Sequence, residues 1–70
     1  MEFREKAKLR IAHWMKHTDD HVKEYARFAE ELEQSGYSHA ARNIREIASI
    51  TTQCSQFLKN ALLSVNKPVS

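Results

Sequence analysis

Three histidines, His13, His17 and His21, recur at intervals of four residues, and Glu24 follows three residues after the last. On an α-helix, residues at i and i+4 stand one above the other, so the imidazoles form a slanted row on one face. Trp14 lies on the inner side of that row, with the carboxylates of Asp20 and Glu24 alongside. Imidazole nitrogens backed by a carboxylate suit zinc, nickel or copper better than magnesium or calcium. The row is a metal-site candidate.

Geometry limits what it can hold. A helix rises about 1.5 Å per residue, which sets His13 and His21 roughly 12 Å apart. Metal–nitrogen bonds are only about 2.0–2.1 Å, so one ion takes two neighbours, either His13 with His17 or His17 with His21. Arg10, one turn before His13, opposes a cation at the lower pair. Glu24 and Asp20 favour one at the upper pair. The expected ligands are therefore His17, His21 and Glu24, with His13 as an outer or second-site residue. Cys54 falls at the same level if the chain folds back on itself, and its thiolate could join the set. The competing reading makes the row a polar seam of a helical interface and Cys54 a small packing residue. His39 stands apart, near the start of the second helix.

Two long helices must position these side chains. The sequence has one glycine, Gly36, and one proline, Pro68. Glycine favours the position just past a helix end, and proline cannot continue a helix interior. Helix 1 is expected over about residues 3–34 and helix 2 over about 39–64, with Ser38 as its cap and 65–70 as a flexible tail. Ile11, Trp14 or Met15, Thr18, Val22, Tyr25, Ala29 and Leu32 follow alternating steps of three and four. Ile44, Ile47 or Ala48, Thr51, Cys54 or Ser55, Leu58, Ala61 or Leu62 and Val65 do the same in the second half. No stretch alternates as a strand does. The fold class is all-α, an antiparallel two-helix hairpin.

Each helix carries a second set of residues beside this seam: Trp14, His17, His21 and Phe28 on the first, Ile50, Cys54, Phe57 and Ala61 on the second. One partner helix cannot cover two seams. Leaving the large apolar members wet forfeits roughly 1.5–3 kcal/mol for each side chain not buried. Pairing two hairpins into a homodimeric four-helix bundle covers both seams, and docking on another protein is the alternative.

Composition narrows the function classes. A chain of 70 residues with a single cysteine forms no internal disulfide. The lone thiol, the charged N-terminus and the lack of a long apolar run point to a cytoplasmic protein with no membrane segment. Eleven basic residues are interleaved with nine acidic ones for a formal net charge of +2, without the basic stripe of a nucleic-acid binder. There is no glycine-rich phosphate loop, HExxH or nucleophile elbow. A hairpin offers a Cys54–His17 pair no enclosed pocket or oxyanion donors, so an enzyme is not expected.

The pattern Leu9-x3-His13-Trp14-Met15-x-His17-x3-His21-x2-Glu24-Tyr25, followed by Ala29, Gly36 and an Ala/Leu-rich second helix, resembles a family of small helical domains. Such domains are similar to segments found alone or behind CooT-like nickel-binding β-domains. The likeness spans nearly the whole chain, although its distinctive part is the HWxxH-x3-H segment. It implies a helical hairpin with a metal-related role, nickel or zinc, at His13, Trp14, His17, His21 and Glu24. Two positions depart from that pattern. Thr18 stands where the family often has Asn, and Cys54 where it has a small apolar residue, which weakens Cys54 as a ligand.

Overall fold

A computed structural model describes residues 2–67. Phe3–Gln34 forms α1 and Ser38–Asn66 forms α2. With no glycine or proline inside either span, nothing interrupts the hydrogen-bond ladder. The two helices pack along the seam that the alternating three–four pattern marks, and the short link between them makes them antiparallel.

The turn is made by two backbone bonds and one glycine. Gly36 N–H donates to the Glu33 carbonyl at 3.2 Å, and Tyr37 N–H to the Leu32 carbonyl at 2.8 Å. This pair of bonds is the Schellman arrangement, which needs a left-handed residue at its centre. Gly36 supplies it with φ of +89°. Nothing lies within 4 Å of where a Cβ would project, so the demand there is conformational and not steric.

Ser38 does not cap α2. Tyr37 takes the cap position, and its carbonyl accepts from Ala41 N–H at 2.9 Å. The link is so short that Ser38 is already helical, and its hydroxyl turns back to donate to the Glu33 carboxylate. A charged acceptor makes the stronger bond. Arg45 completes the corner, 2.9 Å from Glu33 and 3.8 Å from Glu30. At the other end α2 runs two residues past the expected limit. Val65 and Asn66 are helical, and their carbonyls accept from the Arg4 guanidinium, through Nε at 3.0 Å and through Nη2 respectively. A cation on the last carbonyls of a helix satisfies groups with no partner inside it. Residues 68–70 of the expected tail lie outside the described residues.

The seam is thin. Ala29 and Ala41 are the fully buried residues among those described. Ile11, Met15, Val22, Tyr25 and Leu32 meet Ile44, Ala48, Leu58, Leu62 and Val65 half-buried, with Thr18, Thr51 and Ser55 near the middle. The structure thus resolves three of the four ambiguous pairs, placing Met15, Ala48 and Ser55 inward while Trp14, Ile47 and Cys54 stay exposed; Ala61 and Leu62 are both half-buried. The result is a slab of 54 × 20 × 9 Å with a radius of gyration of 16.2 Å. A compact chain of this length would measure about 11 Å.

Two outcomes follow from the turn. Gly36→Ala should cost about 1–2 kcal/mol in denaturant unfolding, and Gly36→Asn less, because the strain is in φ alone. The Ser38 hydroxyl bond, then Arg45, holds the Glu33 carboxyl below its ordinary value of 4.5. The folded chain then binds fewer protons than the unfolded one. This corner's contribution is present above that value and is lost as the pH falls through the lower, folded one. An NMR titration should show Ser38→Ala moving the Glu33 midpoint upward.

Candidate functional site

Successive helical residues turn by about 100°, so the seam positions fix where every other side chain points. One flank of the hairpin is polar. Asp19, Glu30 and Glu33 of α1 lie there with Arg45 and Ser55 of α2, and Ser55 Oγ donates to Asp19 Oδ1 at 3.0 Å. All side-chain bonds joining one helix's side chain to the other's, among the described residues, fall on this flank. A shallow groove of about 460 Å³ runs along it, between Met15, Asp19 and Lys23 on one side and Thr52, Gln56 and Lys59 on the other.

The opposite flank carries Trp14, Phe28, Ile47, Ile50 and Phe57, while Leu9, Tyr37 and Leu63 are exposed elsewhere. Trp14 and Phe28 are 50 % exposed, Ile50 52 % and Phe57 73 %, with Ile47 at 42 %. Cys54 is a free thiol, also exposed. Sequence reasoning placed Ile47 as an alternative seam residue and did not count it on this flank, although its position seven before Cys54 is the signal that assigns it. A depression of about 240 Å³ between Phe3, Arg10 and Trp14 extends the surface toward the start of α1.

The histidine row climbs obliquely across this flank. His13 points farthest from α2, His17 is intermediate and His21 lies nearest the apolar strip. The His13 and His17 ring centroids are 4.4 Å apart, and those of His17 and His21 are 6.4 Å apart. The lower pair is therefore the closer one, although the charges of Glu24 and Asp20 favour the upper. His21 stacks on Tyr25 with centroids 6.1 Å apart. The Glu24 carboxylate stands 3.6 Å from His21 Nδ1, an ion pair whenever the imidazole is protonated. Asp20 turns away to Lys16 Nζ at 3.3 Å. Among the described residues, no three of His, Cys, Asp and Glu converge on a point where one ion could sit. His17, His21 and Glu24 do not form a ready shell, and Cys54 does not complete one. The row of one chain offers two nitrogens at a time.

No described helix is long and apolar enough to cross a membrane. Cys54, exposed in the single chain, should react stoichiometrically with a thiol reagent without prior unfolding when the protein is diluted until sedimentation shows single chains. A rate that falls as the protein is concentrated would mean that a second molecule covers the flank.

The sequence matches the family described as Domain of unknown function (DUF8180) over residues 7–65, a span that contains the histidine row, the turn and nearly all of both helices. No curated protein and no solved structure matches it.

Proposed function

The chain belongs to the DUF8180 family, and we propose that it is a helical interaction module whose partner is a second copy of itself, docked through the Trp14–Phe28–Ile50–Phe57 flank into a four-helix bundle. One observation carries the reading: Trp14, Phe28, Ile50 and Phe57, four large apolar side chains left half or more exposed, lie beside the seam on one flank, while the cross-helix polar ties occupy the other.

Area supports the same occupant. The broad face, 54 by 20 Å, outlines a rectangle of about 1,100 Å², room for the roughly 800 Å² per partner of a stable interface. The need is also large. A small domain requires disulfides, metals or association to offset its conformational entropy. This hairpin has no internal disulfide, and among the described residues its fully buried core amounts to two alanines. A second hairpin laid on the apolar flank supplies the missing layer, with helices packed on both sides of one core.

A metal-handling role is the second reading. It is favoured by the 4.4 Å approach of the His13 and His17 rings, by the carboxylate at His21, and by the nickel association that the resemblance implies. It needs ligands beyond those one chain brings together.

Sedimentation equilibrium at micromolar concentration should give close to twice the chain mass. Phe57→Asp should shift the protein toward monomer more than Lys59→Asp, because it places a charge inside the apolar contact. A wild-type monomer that melts cooperatively would overturn the reading.

A further inference from the structure

Two copies that bury the same face are related by a two-fold axis, and their overlap is greatest when the axis crosses the middle of the slab. α1 extends from Phe3 to Gln34, so its midpoint falls between residues 18 and 19. That is the gap between His17 and His21. The Ser55–Asp19 bond marks the same level on α2, and Cys54 flanks that level on the apolar side. Full overlap therefore sets the histidine row of each copy against the centre of the other. The donors waiting there are the second copy's own His17, His21 and Cys54.

We propose that a divalent transition-metal ion of the zinc or nickel class is bound at the centre of this seam, by His17 and His21 of one copy together with at least one imidazole or thiolate of the second. The proposal rests on the self-association argued above and deepens it by naming a ligand. It also accounts for the incomplete set within one chain. Two imidazoles sharing an ion place their ring centroids about 5 Å apart, given metal–nitrogen bonds of about 2.0–2.1 Å. The His17–His21 separation of 6.4 Å closes to that by small side-chain rotations, which the exposed rings are free to make. Glu24 beside Nδ1 of His21 leaves Nε2 as the outward-facing nitrogen, the arrangement in which a carboxylate orients a metal-bound imidazole from behind. Without an ion, the same imidazoles would be stripped of water against an apolar surface with few partners.

Zinc chloride is titrated into the untagged full chain by calorimetry near neutral pH, with sedimentation equilibrium on the same samples; nickel is run in parallel. The wild type should saturate at no more than one ion per chain, and the ion should increase the dimer fraction. His17→Ala should weaken binding about tenfold or more while the metal-free mass is unchanged. Monomeric Phe57→Asp should lose affinity to a similar degree with its helicity intact, since Phe57 lies outside the hairpin's own seam. Ile50→Lys serves if Phe57→Asp does not fold. A wild-type dimer that takes up neither zinc nor nickel overturns the metal site and leaves the interaction module standing. Wild-type affinity in a monomeric variant overturns it as well, because the site would then lie within one chain. A monomeric wild type overturns both.

Discussion

Two helices in contact share one seam, and each keeps two flanks that the other cannot reach. Most of what distinguishes this hairpin follows from how the flanks are used. One is closed by polar ties at three levels: Arg45 with Glu30 and Glu33 near the turn, and Ser55 with Asp19 midway, with Arg4 on the last carbonyls of α2 at the open end. These contacts are exposed, and exposed charge pairs contribute little stability each. Their effect is on register, since each joins residues far apart in sequence at a fixed level. Among the described residues the other flank has no such ties, and it is lined by Trp14, Phe28, Ile47, Ile50 and Phe57.

Register is what gives the histidine row its meaning. Within one chain the row is a set of exposed imidazoles on a helix surface, an ordinary place for histidine. At the centre of a face that another molecule covers, the same three residues become the polar feature of an apolar contact. Whether they then meet an ion or simply one another is decided by what stands opposite. The helix spacing alone cannot express that distinction, because it depends on the turn and on the level at which α2 returns.

The helices, the antiparallel pairing and the seam were legible in the sequence because a three–four repeat over 32 residues leaves few alternatives. Adjacent positions at the edge of the repeat were not. Trp14 and Met15, Ile47 and Ala48, and Cys54 and Ser55 each fit equally well by spacing. The structure takes Met15, Ala48 and Ser55 inward and leaves Trp14, Ile47 and Cys54 outward. Ser38 was misread because its type suits a helix cap, whereas the three-residue link Ser35–Gly36–Tyr37 advances the helix start by one position. The ligand preference for His17, His21 and Glu24 came from charge. Ring geometry favours His13 with His17, and no periodicity argument reports which way an imidazole turns.

Arg4 bonded to the carbonyls of residues 65 and 66 sets the two ends of the described chain side by side, with the turn at the far end of a 54 Å slab. In mechanical terms this is a zipper. Tension applied between those ends acts across the helices and not along them, so it loads the contacts one level at a time. The Arg4 tie carries the load first, then the small polar middle around Thr18, Thr51 and Ser55. The closely packed alanines and the Gly36 turn carry it last. A second molecule bound across the flank would bear on several levels at once and turn that sequential peeling into a single, collective event.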